Sequence, residues 1–338
     1  MCGILGFIGK SKNALLSQKL VTCLFQKTQV RGSDASGFYC ASDFDRKEVF
    51  FHKLPEPSTV YVENIAYQKL WENDLNLGIF HCRAATQGVG LPAENKNNHP
   101  FVSENLQKAV IHNGFINKSE YKILKSLFET NTDCDSEIVL RILEQNPNFE
   151  DSLSEFFGLT EKSAYAVAFA EVDEHVRSLT LFRNIHRPIM IVDLRDLLGQ
   201  IFFCSTLEIL LQAVHSVPEL SDAAIGISQL DKDTVLNIRF DIANTMSVSS
   251  FDLKHVGQIG RRSNGVSKIK NTPKLFSAPI NFDWVVENTA NKNDIMKKLE
   301  QIILIYNRKQ NFSDGGKSTS AINHHAKMLQ DLLQKEVP

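Results

Sequence analysis

Seven short apolar segments crowd the stretch from residue 164 to residue 251, and all but one of the gaps between them are four or five residues long. They are AYAVAFAEV (164–172), SLTLFR (178–183), PIMIVDL (188–194), QIFFCS (200–205), AAIGIS (223–228), TVLNIRF (234–240) and TMSVSSF (245–251). Their length and their β-branched and aromatic content read as strands. Gaps so short join neighbours as hairpins, because a parallel pair needs a crossover of about a dozen residues or more. Only the gap after residue 205 is longer, and it holds a short helix at 206–215.

The earlier part supplies most of the helices. Residues 13–27 carry Ala14, Leu15, Leu20, Val21, Leu24 and Phe25 at helical spacing. Further helices are predicted at 60–73, 118–129 and 135–145, the last with acidic residues in its first turn. Between them lie strands at GILGFIG (3–9), GFYCAS (37–42), EVFFHKL (48–54), LGIFHC (77–82) and AVIHNG (109–114), the last running into an Asn-Gly turn signal. This order predicts an α+β layered fold of antiparallel sheets and not a parallel βαβ array. No glycine-rich nucleotide loop stands in the right context, and no repeat is visible.

At 338 residues the chain holds one large domain or two ordinary ones, and 43% apolar with 22% charged residues is the balance of a soluble globular protein. A net charge of -2 argues against a chain-wide nucleic-acid footprint. No apolar run is long enough for a bilayer, and the N-terminus lacks the parts of a secretory signal. The six cysteines form no CxxC pair, so zinc has no spacing to support it; they are expected to be reduced thiols in the cytoplasm. Near residue 252 the composition shifts. KHVGQIGRRSNGVSKIKNTPK (254–274) is basic with no acidic residue, and a helix is predicted at 291–309 before the polar NFSDGGKSTS. SDGGKST departs in order from the SGGxDS phosphate loop and reads as a flexible loop. Two parts are therefore expected: a catalytic domain over 1–252, and a basic linker with a helical extension over 253–338.

The chemistry concentrates in the first 137 residues. Cys2 follows the initiator methionine. Removal of Met1 would leave a thiol and a free α-amine on one residue, and an amine with a pKa near ~8 is able to take the thiol proton. RGSDASG (31–37) fits a turn, in which Arg31 organises either the loop or a carboxylate. FHCRAATQG (80–88) puts Arg83 at a strand mouth, suited to a bidentate grip on an α-carboxylate or to a surface ion pair. In IHNGFIN (111–117), Asn113-Gly114 fits a hairpin turn or a pair of oxyanion donors. His99 (in NNHPF) and His112 have no metal spacing and read as hydrogen-bonded structural histidines. TDCDSE (132–137) opens a helix, so Asp133 or Asp135 is expected to cap it, unless Asp135 receives a substrate ammonium.

Taken in order, Cys2, RGxDxxG, HxRxAT, HNG and a D-S-E helix start resemble the class II glutamine amidotransferases over about residues 1–250, most of all the glutaminase domains of glucosamine-6-phosphate synthase and amidophosphoribosyltransferase. The resemblance implies an αββα four-layer sandwich of two antiparallel sheets between helices, the fold of N-terminal nucleophile hydrolases. It implies Cys2 as nucleophile and Asn113 with Gly114 as oxyanion donors. Arg83 would bind the α-carboxylate of L-glutamine and Asp135 its ammonium. Thr86 and Gln87 would lie in a loop near 84–92 that closes over the substrate, with Arg31, Asp34, His81 and His99 supporting the site. No cofactor or metal is implied. Three positions depart from the pattern: Gln87 stands in place of histidine, Ala84 in place of an aromatic, and Ser33 in place of proline or a bulky residue. The roughly 85 residues after the sandwich are too few for a second synthase domain, so the ammonia acceptor is expected to be a separate partner subunit. The alternatives are a hydrolase of another amide and a non-catalytic glutamine-binding or assembly module.

Overall fold

A computed structural model describes residues 1–85, 90–146, 149–220 and 225–252. Thr86, Gln87, the basic arm at 254–274 and the helix expected at 291–309 lie outside the described residues, as does the whole 253–338 extension.

The strands form two sheets in which every neighbouring pair is antiparallel. The seven-stranded sheet holds β1 (Gly3–Ile8), β2 (Ala35–Ser42), β3 (Val49–Leu54), β4 (Leu75–Arg83), β9 (Met190–Leu194), β10 (Gln200–Cys204) and β11 (Gly226–Gln229), in the order β11-β9-β10-β1-β4-β2-β3. The six-stranded sheet holds β5 (Phe101–Val102), β6 (Lys108–Phe115), β7 (Ala164–Val172), β8 (Val176–Arg183), β12 (Thr234–Asp241) and β13 (Met246–Asp252), in the order β13-β12-β8-β7-β6-β5.

Side-chain alternation divides the apolar residues into three clusters, one for each interface of a four-layer stack. Leu5, Phe7, Phe80 and Phe202 pack under α1 (Ala14–Thr28) and α8 (Leu207–His215). Ile4, Ile8, Ile79, Ala109, Ile111, Ala166 and Ala168 fill the space between the sheets. Val110, Val167 and Phe169 pack against α5 (Ser136–Gln145) and α6 (Phe149–Leu159). The alanines on β6 and β7 let the sheets close in, and Cα atoms of β6 come within 8 Å of those of β1 and β4. The predicted αββα sandwich is the fold observed.

Three local expectations are corrected. The helix predicted at 60–73 is two short ones, α2 (Ser58–Tyr61) and α3 (Ile65–Leu70), because Asn64 caps the second by accepting from the Ala66 N–H. Asn113-Gly114 is no turn: both residues lie inside β6 and pair with Ala166 and Tyr165. Helix α6 was not foreseen, and α4 (Lys118–Leu127) ends two residues before its predicted boundary.

Candidate functional site

The period of two that buries Ile4 and Ile8 between the sheets puts Cys2 on the same face of β1. On β4, Leu77 and Ile79 set that face, which carries His81 and Arg83. On β6, Ala109 and Ile111 set it, which carries Asn113. The β1–β4 register pairs Gly3 with Cys82 and Ile4 with His81, so the next step brings Cys2 alongside Arg83. All four side chains thus meet at one open end of the inter-sheet gap.

Cys2 is anchored from both sides. Its Sγ accepts the Ala84 N–H at 3.4 Å, and its carbonyl accepts from Arg31 Nε at 2.9 Å. Gly3 follows because a Cβ there would lie 2.2 Å from Thr28 Cγ2. Met1 itself is 68% exposed. Burial raises the Cys2 thiol above its ordinary range; the Ala84 amide, the terminal amine and the Arg83 charge oppose that, and Asp135 adds to it. A thiol held protonated needs a base close by, and both an arginine and a carboxylate act on it through space.

Arg83 is buried, with Nη1 donating to Asn98 Oδ1 at 2.6 Å and Nη2 to the Gly90 carbonyl at 2.5 Å. No carboxylate pairs with it among the described residues. A buried guanidinium matched only by neutral acceptors is an incomplete anion site. The turn expected over 31–37 is shorter, since β2 begins at Ala35, and residues 32–34 brace this strand end: the Asp34 N–H donates to the Arg83 carbonyl at 2.9 Å, and Asp34 Oδ2 accepts the Ala85 N–H at 2.7 Å. Gly32 permits the approach, since a Cβ would sit 2.3 Å from the Arg83 carbonyl carbon.

Across the gap, Asn113 is 1% exposed, and both its Nδ2 and its Oδ1 are buried without a partner among the described residues. Buried amides are nearly always satisfied, so an orphaned one facing a thiol marks a place for a ligand. Asp135 stands at the N-cap position of α5 but makes no side-chain cap. Its Oδ2 instead accepts the Ile116 N–H at 2.7 Å, which holds the carboxylate beside the end of β6. The preceding turn is satisfied by Glu137, which accepts the Asn131 and Thr132 N–H groups and pairs with Arg141 at 2.8 Å. The expected cap is thus corrected, and Asp135 is left at the site.

No family model matches the chain. Glutamine–fructose-6-phosphate aminotransferase (isomerizing) from Helicobacter pylori is 28% identical over 248 residues, 70% of this chain and 38% of the relative. The enzyme of the same name from Pyrococcus horikoshii is 28% identical over 313 residues, 90% of this chain and 49% of the relative. The chain therefore spans half or less of the curated relatives it matches. Among solved structures, glutamine phosphoribosylpyrophosphate amidotransferase from B. subtilis superposes with a TM-score of 0.51 at 18% identity, covering 75% of this chain and 49% of that one. This chain is related to the class II glutamine amidotransferases. Its two facing antiparallel sheets are the N-terminal nucleophile hydrolase fold of those amidotransferases.

Within this amidotransferase fold the histidines act as structure. His81 Nε2 donates across the gap to the His112 carbonyl at 3.1 Å, tying β4 to β6 directly behind Asn113. Burial drops its pKa to about 3, so the ring is neutral. His99 stacks on His81 with centroids 3.8 Å apart, and contrary to expectation neither of its nitrogens has a partner among the described residues. His112 faces away from the gap and bonds Ser136 Oγ through Nδ1 at 2.8 Å. Asn98 and the Gly90 carbonyl, the two groups that orient Arg83, were missed by sequence reasoning; only their place in the loop after an arginine-bearing strand end could have flagged them.

Proposed function

We propose that the chain hydrolyses the side-chain amide of L-glutamine, with Cys2 as nucleophile once Met1 is removed. The observation that carries this reading is the grouping around one thiol of a buried guanidinium with no carboxylate partner among the described residues, a carboxylate that does not cap its helix, and an amide with no partner among those residues. The two charges match the carboxylate and ammonium of an amino acid, and a bulky N-acyl substrate has neither to offer. The α-amine of Cys2, directly or through a water, takes the thiol proton; the thiolate attacks the carboxamide carbon. Asn113 Nδ2 and the Gly114 N–H stabilise the resulting oxyanion. The C–N bond breaks as the amine returns the proton to leaving ammonia, giving a γ-glutamyl thioester. Water then attacks, and glutamate departs as the thiol reforms. Arg83 and Asp135 hold the substrate, to whose binding we also assign Thr86 and Gln87, and Arg31, Asp34, His81 and His99 keep the frame.

The relatives' names describe aminotransfer, and in keeping with that we assign the ammonia to a separate acceptor subunit. Residues 253–338 are then the natural docking element. A nucleophilic thiol favours a reducing compartment, in keeping with a cytoplasmic setting. The test is glutamate release from glutamine by protein whose mass shows Met1 removed, with and without candidate acceptors. Cys2→Ala is expected to fold normally and to lose turnover by a factor of about a thousand or more. Retained turnover in Cys2→Ala, or none in the processed wild type under any condition, would refute the reading.

A further inference from the structure

Lys53 lies on β3, separated from β1 by two intervening strands, and belongs to none of the motifs above. Its ammonium donates to three backbone carbonyls of one loop: Asn98 at 2.6 Å, Pro100 at 3.1 Å and Lys96 at 3.3 Å. In return Asn95 Nδ2 donates to the Lys53 carbonyl at 2.6 Å. No carboxylate pairs with Lys53 among the described residues. Three N–H bonds are thus spent on three neutral acceptors, a costly use of an ammonium that solvent would hydrate well.

The loop it gathers is the one that orients Arg83. Asn98 is fully buried; its Oδ1 takes the Arg83 guanidinium, while its Nδ2 donates to the Pro92 carbonyl at 2.8 Å and to Asn95 Oδ1 at 3.1 Å. One hydrogen-bonded path therefore runs from the Lys53 ammonium through the Asn98 backbone and side chain to Arg83. Gly37 keeps the path open. It faces Lys53 in the β2–β3 ladder, and a Cβ there would lie 2.3 Å from the His99 carbonyl oxygen and 2.7 Å from Lys53 Cβ.

We infer that Lys53 is a positioning residue for substrate, acting through the 95–100 loop and Asn98 to hold the Arg83 guanidinium in register for the α-carboxylate of glutamine. This rests on the reading that Arg83 binds that carboxylate. The groups that face the ammonium are the three carbonyls, the Phe101 ring at 5.0 Å, the Cys134 thiol, and the charges of Glu137 and Arg83. Burial pulls its pKa down to about 8; Cys134 and Glu137 oppose the fall and Arg83 adds to it. The neutral amine has one donor fewer, so the loop loses a tie as pH rises through that value.

The experiment compares wild type, Lys53→Met and Lys53→Arg on glutamine and on γ-aminobutyramide, which keeps the amide and the amine but lacks the carboxylate. Lys53→Met is expected to raise KM for glutamine about tenfold with kcat within about twofold, the scale of one charge-assisted contact. Its kcat/KM on γ-aminobutyramide should match wild type. Lys53→Arg should recover most of the affinity and flatten the rise in KM that wild type shows above pH 8. An unchanged KM in Lys53→Met, or an equal loss on both substrates, overturns the inference while leaving the functional reading intact. If Lys53→Met fails to fold, the Lys53→Arg pH profile decides alone, and a rise like that of wild type counts against the inference. A wild type inert toward glutamine refutes the functional reading, and this inference falls with it.

Discussion

The two sheets bring different kinds of wall to the same gap. On the seven-stranded side, Arg83 is tied by Asn98 and Gly90, its strand end is braced by Asp34, and the Cys2 carbonyl is held by Arg31. On the six-stranded side, the Asn113 amide has no partner among the described residues. On the proposed reading, the contrast between Arg83 and Asn113 separates binding from catalysis. A group that meets a charge present throughout the reaction gains from being fixed in advance. A group that meets a charge formed only in the transition state gains from having nothing else to hold.

Three variants would break or sharpen that contrast. The largest effect is expected from Asn113→Ala, which should lower kcat about a hundredfold to a thousandfold with little change in KM, the usual cost of one oxyanion donor. Steady-state kinetics on glutamine would show it, and a change confined to KM would mean the free amide binds ground-state substrate. Arg83→Lys should do the reverse, raising KM roughly tenfold to a hundredfold with a smaller change in kcat, because an ammonium cannot reproduce the fork. Equal losses in both parameters would erase the distinction between the walls.

The smallest effect concerns the bond that joins them. His81 is held neutral with a pKa of about 3, against 6.5 for a free imidazole. Between those values the unfolded chain binds a proton that the folded chain does not, so its contribution to stability is full above pH 6.5 and is lost as pH falls toward 3. His81→Gln can keep a donor to the His112 carbonyl without titrating. Its unfolding free energy should fall less steeply over that window, by up to about 1.4 kcal/mol per pH unit. Denaturant titrations at several pH values would measure the slope; identical slopes would place the acid sensitivity on His99 or His112, both also held low by burial.

The layered fold was legible because alternation and short gaps leave few other arrangements, whereas Cys2, Arg83 and Asn113 were singled out only by the order of their motifs along the chain, each motif alone fitting a strand end or a turn. What the sequence hid was hidden for identifiable reasons. Asn113-Gly114 mimics a turn, yet Gly114 is not in the left-handed region. It is glycine because a Cβ would lie 1.8 Å from the Ala164 carbonyl oxygen, a contact between strands far apart in the chain. The break between α2 and α3 is one asparagine cap inside an otherwise helical pattern. Asn98 and Lys53 carry no local signature, since their partners come from a loop and a neighbouring sheet position.

The head of β1 also fixes an order of events in biosynthesis. Every residue from Gly3 to Ile8 is buried, and β1 is zipped between β4 and β10 on its two edges. On the proposed mechanism the bond to be cut lies one residue before a strand held on both edges. Loss of Met1 is then expected to be fastest on the nascent polypeptide, before β1 is zipped, and a chain that folds first would keep Met1 and a capped amine for longer.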